Sequence, residues 1–185
     1  MLGPFSKIVG APNMTRVHER GARPGKVLVV GLGNPDRGDD GIGAAVAQAL
    51  VGRLPPDAAV KVRRGDLLAL IQDWEGFEAI VCIDAAAPMG VPGRICRVDL
   101  NSTALPRNLS FTSSHALGLP EAIELARSLQ LAPRQIIVYA IEGASFDSGA
   151  PLTPAVAAAA QLAADQVVAE VGQLRCSTPE AAFDA

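Results

Sequence analysis

Four places in the chain carry side chains that could do chemistry together: Asp39-Asp40, Asp84, His115 and Glu142. Asp39 and Asp40 close a glycine-dense turn, Gly31-Leu32-Gly33-Asn34-Pro35-Asp36-Arg37-Gly38-Asp39-Asp40-Gly41. The turn lies between an apolar run, Lys26-Val27-Leu28-Val29-Val30, and an Ala-rich stretch over residues 42–50. A strand entering such a turn and leaving it as a helix is how open α/β sheets build their sites. A phosphate-binding loop offers backbone amides at the helix start and keeps acids away from them. Here two adjacent carboxylates occupy that start, which suits a cation. The dinucleotide fingerprint is not met, because its third glycine position holds Asp36 and the next strand ends in Arg63-Arg64 without an acid. Capping the following helix requires only one carboxylate. Asp39 is expected to cap, leaving Asp40 free.

The other candidates sit at comparable places. Asp84 follows an apolar run in Ile83-Asp84-Ala85-Ala86-Ala87, and Glu142 follows another in Ile141-Glu142-Gly143-Ala144. His115 precedes a helical segment in Ser113-Ser114-His115-Ala116-Leu117-Gly118. Neighbouring strands lie about 4.8 Å apart, so acids at the same end of adjacent parallel strands can share a cation. If the first and third strands are neighbours, Asp40 and Asp84 converge at the carboxyl edge, where such sheets bind ligands. A lone histidine at a helix start is commonly structural. Next to two strand-end carboxylates, His115 reads instead as a third ligand. Two carboxylates and one imidazole with open positions suit nickel, zinc, manganese or iron, and no thiolate is required.

The elements that must position these groups alternate along the chain. Strand patterns cover residues 27–30, 59–63, 79–83, 93–98 and 135–140, and helical patterns cover 42–52, 67–73, 122–129 and 154–174. Ala79-Ile80-Val81-Cys82-Ile83 is apolar without alternation, as in a parallel strand buried on both faces. Arg94-Ile95-Cys96-Arg97-Val98 alternates and reads as an edge strand, for which an antiparallel direction is open. Thr153-Pro154 starts the last helix with an N-cap and a proline at the first helical position. The expected fold is a three-layer αβα sandwich around a mostly parallel, mixed five-stranded sheet, of the phosphorylase/hydrolase-like kind.

Composition narrows the function further. The chain has 185 residues, enough for one domain, with 49% hydrophobic and 19% charged residues. A formal net charge of −3 gives no basic footprint for nucleic acid or an anionic membrane. No apolar run approaches the roughly 20 residues needed to span a bilayer. The three cysteines, Cys82, Cys96 and Cys176, form no CxxC, which points to a reducing cytoplasm. Cys82 and Cys96 fall inside strands, as small buried hydrophobes. Residues 1–25, interrupted by Pro4, Pro12 and Pro24 and including His18, read as a disordered extension without a secretory signal. Residues 26–174 form the single domain, and residues 175–185 a tail.

Taken together, these motifs resemble the [NiFe] hydrogenase maturation endopeptidases. The resemblance runs in order through Gly31-Leu32-Gly33-Asn34, Asp39-Asp40-Gly41-Ile42-Gly43, Ile83-Asp84-Ala85 and Ser113-Ser114-His115-Ala116-Leu117-Gly118-Leu119. It continues through Val138-Tyr139-Ala140-Ile141-Glu142 and Leu152-Thr153-Pro154-Ala155-Val156, covering about residues 26 to 172. It implies removal of a short C-terminal extension from the large-subunit precursor of a [NiFe] hydrogenase after nickel insertion. It also implies that Asp40, Asp84 and His115 are the metal-contacting and catalytic residues. The first of these positions is often glutamate in relatives, so Asp40 is one methylene shorter. The resemblance further implies that the nickel is the precursor's own, and the resting enzyme is expected to be metal-free and monomeric.

The sequence offers no GxSxG elbow, no HExxH and no Cys–His pair with an orienting partner. Asp39 and Asp40 are chain neighbours whose side chains should diverge, unlike an aspartic dyad sharing a proton. Metal assistance is the expected route, in which nickel polarises the scissile carbonyl or activates a bound water. Alternatively, the carboxylates only dock the nickel. Peptidyl-tRNA hydrolases share a Gly-Leu-Gly-Asn-Pro opening, but this chain has no nearby histidine and no positive surplus for tRNA phosphates. A non-proteolytic nickel-recognising chaperone would use the same three ligands.

Overall fold

The computed structural model describes residues 25–64, 66–102 and 119–176. Five strands and four helices follow one another among these residues: β1 (Val27–Leu32), α1 (Ile42–Ala49), β2 (Ala58–Arg63), α2 (Leu67–Asp73), β3 (Ala79–Ala86), β4 (Ile95–Asp99), α3 (Leu119–Ser128), β5 (Gln135–Glu142) and α4 (Pro154–Cys176). A 3-10 turn, Gly38–Gly41, leads into α1. The sheet order is β2-β1-β3-β5-β4. Every pairing is parallel except that of β4 with β5, so the alternating Ile95–Asp99 segment is an antiparallel edge as expected.

Period-two alternation sends the strand side chains into two apolar clusters, one on each face. Val27, Val29, Val81 and Ile83 meet α1 and α4 on one side. Leu28, Val30, Ile80 and Cys82 meet α2 and α3 on the other. The interior strands β1, β3 and β5 are almost wholly buried, which their unbroken apolar runs required. Helix α4 buries Val156, Ala159, Ala163, Val167, Val171 and Leu174 at three- and four-residue spacing. Among the described residues no helix is long and apolar enough to cross a membrane.

Strand and helix limits differ slightly from the pattern reading. Strand β3 continues past Ile83 to Ala86, so Asp84 lies within it. Glu142 is the last residue of β5. Helix α4 runs through Cys176, and Arg175 pairs with Asp57 at 2.8 Å, so the last turn is anchored.

Two features aim the fold at one place. Strand β1 lies between β2 and β3, so the chain leaves it first to one side and later returns on the other. The carboxyl ends of β1 and β3 therefore flank a topological switch point, the usual crevice for ligands in open α/β sheets. Helix α1 also starts in direct contact with this edge. A Cβ on Gly43 would come 2.2 Å from the Leu32 carbonyl oxygen and 2.8 Å from that of Ile83. A Cβ on Gly31 would meet the Gly43 oxygen at 2.1 Å. Only glycine lets helix and strand backbones approach so closely.

Candidate functional site

Asp40 enters the crevice from the turn after β1, and Asp84 enters it from β3. The register pairs Gly31 with Ile83 as the last β1–β3 pair, while β3 continues beside β5 to Ala86. Asp84 thus occupies the first position of β3 beyond the β1 ladder. Both carboxylates are buried, each residue 2% exposed.

Their hydrogen bonding is sparse for buried anions. Asp40 Oδ2 accepts the Asn34 amide at 2.9 Å and lies 4.0 Å from Arg37 Nη1. Among the described residues, Asp40 Oδ1 is buried without a partner. Asp84 Oδ1 accepts the amide of the next residue, Ala85, at 2.8 Å. Burial first, and the charge of Asp40 in addition, push the Asp84 carboxyl up to about 7, against the lowering effect of the Ala85 amide. Desolvation and a like charge both disfavour ionisation. Burial and the Asp84 charge push the Cys82 thiol up as well, so this buried cysteine is an inert packing residue. Cys96 is only half-buried. A carboxylate pair with an orphaned oxygen and a raised pKa needs a proton or a cation. Oxygen donors of this kind fit a divalent metal.

The two other acids near this edge behave differently. Asp39 was expected to cap the helix, and the structure corrects this. Neither the 3-10 turn nor α1 has a side-chain cap, because Gly41 holds the N-cap position of α1 and both aspartates precede it. Asp39 Oδ2 instead accepts the amides of Ala144 at 2.7 Å and Ser145 at 3.1 Å. Its Oδ1 accepts the Thr153 amide at 2.6 Å, and the Thr153 hydroxyl donates to Oδ2 at 2.9 Å. Burial pushes the Asp39 carboxyl up, but these amides and the hydroxyl outweigh it and hold it below the ordinary aspartate value. The expected divergence of Asp39 and Asp40 is observed in their separate partners.

Glu142 Oε1 accepts the amides of Met89 at 2.5 Å and Val91 at 2.7 Å. Arg94 Nη2 lies 2.8 Å from Oε2 without hydrogen-bond alignment, a purely Coulombic contact. Burial raises the Glu142 pKa, and the amides with Arg94 overcome it. Glu142 fastens the segment between β3 and β4 and is not open to a ligand.

His115 lies outside the described residues. Helix α3, which follows it in the chain, begins at Leu119 in the apolar cluster on the Cys82 face, the face to which alternation assigns Asp84. Among the described residues no group of three His, Cys, Asp or Glu side chains is placed to hold a metal ion. Two residues that the sequence reading passed over stand at Asp40: Asn34 through its amide and Arg37 through its guanidinium. Their only signal was membership of the same turn.

Comparison with known proteins places this geometry. A search of curated proteins finds no match. Among solved structures, the [NiFe] hydrogenase maturation protease HybD from Thermococcus kodakarensis superposes with a TM-score of 0.67 at 24% identity, over 79% of this chain and 99% of that one. The hydrogenase maturating endopeptidase HybD from E. coli gives 0.63 at 23% identity, over 80% and 93%. A hydrogenase 2 maturation peptidase from Thaumarchaeota archaeon SCGC_AB-539-E09 gives 0.57 at 27% identity, over 80% and 98%. These likenesses carry the αβα architecture. The hydrogenase maturation protease model matches residues 65–170, a span that contains Asp84, His115, Glu142 and Thr153. That is more than half of the sequence, so the chain belongs to the hydrogenase maturation protease family.

Proposed function

We propose that this protease removes a short C-terminal extension from the nickel-loaded large-subunit precursor of a [NiFe] hydrogenase. Asp40, Asp84 and His115 grip the precursor's nickel, which belongs to the substrate. The observation that carries this reading is the buried Asp40–Asp84 pair at the switch point of the sheet, with one amide bond to each carboxylate and Asp40 Oδ1 unpartnered among the described residues. Two carboxylates share a crevice with too few donors, and an incoming cation would relieve their repulsion and displace the proton that Asp84 holds. His115, four residues ahead of the first residue of α3, is the third donor in this reading. Nickel held between enzyme and precursor would polarise the scissile carbonyl or lower the pKa of a bound water, and the three side chains would orient the substrate. The E. coli neighbour is described as an endopeptidase, and the same cleavage chemistry is proposed for this chain. We place the reaction in the cytoplasm with a monomeric enzyme.

Mass spectrometry of the precursor tests this directly. Nickel-loaded precursor incubated with the protein should lose a C-terminal peptide, and nickel-free precursor should stay intact. Equal cutting of both forms would remove nickel from the recognition step. Tight binding without any mass change would identify a chaperone.

A further inference from the structure

We infer that Asp39 is a positioning residue for the reaction: it locks residues 143–153 onto the turn that carries Asp40, and so sets where the Asp40 carboxylate stands. The inference rests on the role proposed for Asp40. Four hydrogen bonds converge on one carboxylate, from donors 105 to 114 residues away in the chain. Backbone bonds run beside them: Asp39 N to Ser145 O at 2.8 Å, Gly38 N to Ala150 O at 3.0 Å and Gly149 N to Asp36 O at 2.7 Å. Gly38, at φ +55°, leaves no room for a side chain, since a Cβ there would lie 2.6 Å from the Ser145 oxygen. Turn and segment are therefore one rigid unit.

The clamp reaches the site by two routes. Among the described residues the carboxylate of Asp40 has a single amide bond and one guanidinium at 4.0 Å, so the turn's backbone decides its position, and Asp39 anchors that backbone. Phe146 lies on the clamped segment, seated against Gly143, where a Cβ would come 2.3 Å from its ring. The Arg37 guanidinium, which faces Asp40, lies 5.8 Å from the centroid of the Phe146 ring. Releasing the segment would shift both Asp40 and the cation beside it.

Asp39→Asn is the informative variant. An amide is isosteric, but its NH2 must face at least one of the N–H donors that Asp39 now accepts. Processing of nickel-loaded precursor is measured at saturating and limiting concentration, where circular dichroism shows full folding. Hydrogen exchange is followed at the Ala144, Ser145 and Thr153 amides. We expect kcat to fall about tenfold to a hundredfold, as displacements near 1 Å at a reacting group can do, with KM nearly unchanged. Exchange at the three amides should quicken. Thr153→Val keeps the backbone bond and removes only the hydroxyl donor, so kcat should fall about two- to fivefold in a folded protein. Wild-type kcat in folded Asp39→Asn, or a loss that merely follows the unfolded fraction, overturns the inference. If Asp39→Asn does not fold, wild-type kcat in Thr153→Val overturns it. Asp40→Asn is run alongside: normal processing by that variant would instead overturn the proposed function.

Discussion

Two pairs of buried carboxylates stand at the carboxyl edge of one sheet, and they are opposites. Asp39 and Glu142 are surrounded by backbone amides, and both are held below their ordinary pKa despite burial. Asp40 and Asp84 are as deeply buried but have few donors, and Asp84 is pushed up to about 7. The contrast shows that burial alone does not mark a functional acid. An acid whose oxygens are held by several amides, or by amides and a guanidinium, serves the fold. An acid left short of partners at a crevice is available to something outside it.

Replacing the under-bonded acids gives the largest expected effect and separates the pairs by sign. Asp84→Asn or Asp40→Asn should lower processing by at least about 10²-fold, the order lost when a charged group is removed from a reaction site. At pH 8, Asp84→Asn should nevertheless be the more stable protein, because it no longer buries an ionised carboxylate. A pKa raised by roughly three units corresponds to a gain of on the order of 2–4 kcal/mol, read from urea unfolding. Loss of stability in Asp84→Asn at pH 8 would show that Asp84 is satisfied after all.

The filled acids should answer in the opposite direction. Asp39→Ala leaves three backbone amides and a hydroxyl without their acceptor, and should cost about 3 kcal/mol in urea unfolding. Glu142→Ala should also lower the urea midpoint, because it frees the segment over residues 87–92. An unchanged midpoint in either variant would dissolve the distinction between the pairs.

The pairs should also separate by pH. The folded pKa of Asp84 is raised, so between pH 4 and 7 the folded protein holds a proton that the unfolded chain has released. Its contribution to stability therefore falls as pH rises from about 4 to about 7 and is level above that. Asp39 and Glu142 have lowered values, so their contribution is present above about pH 4 and is lost as pH falls below it. The stability difference between Asp84→Asn and wild type should grow from pH 4 to 7 and then plateau. A difference independent of pH would contradict the raised value.

The smallest effect belongs to Arg37, partly exposed and 4.0 Å from Asp40. Arg37→Gln should reduce processing about two- to fivefold, in keeping with the modest worth of exposed ion pairs. Its stability should change by under about 1 kcal/mol. A loss as large as that of Asp40→Asn would move Arg37 into the reaction itself.

Much of this arrangement could be read from the chain, and the reason is locality. Strand β1 and the Ala79-Ile80-Val81-Cys82-Ile83 run declare burial on two faces through unbroken apolar residues, and the alternation around Cys96 declares an edge. The placement of Asp40 and Asp84 at one sheet edge was legible because Asp84 continues an apolar run and Asp40 closes the turn that follows another. Asp39 misled because a cap depends on nearby residues, whereas its true partners are Ala144, Ser145 and Thr153. No local pattern encodes a bond across 114 residues. The role of Glu142 was hidden for the same reason, its amide donors being 51 and 53 residues away. Arg37 carried no periodic signal, since it lies in a turn.

The clamp on Thr153 also sets an order of events during synthesis. Asp39 leaves the ribosome long before Thr153 exists, and the bond between them spans 114 residues. At translation rates of about 5–20 residues per second, the turn bearing Asp40 waits roughly 6–23 s for its anchor. Closing so long a loop also carries an entropic cost that nearby contacts avoid. The nascent chain can thus form β1, α1 and β3 while Asp39 still lacks the amides that anchor it. A turn anchored this way comes into register only after Thr153 has been made.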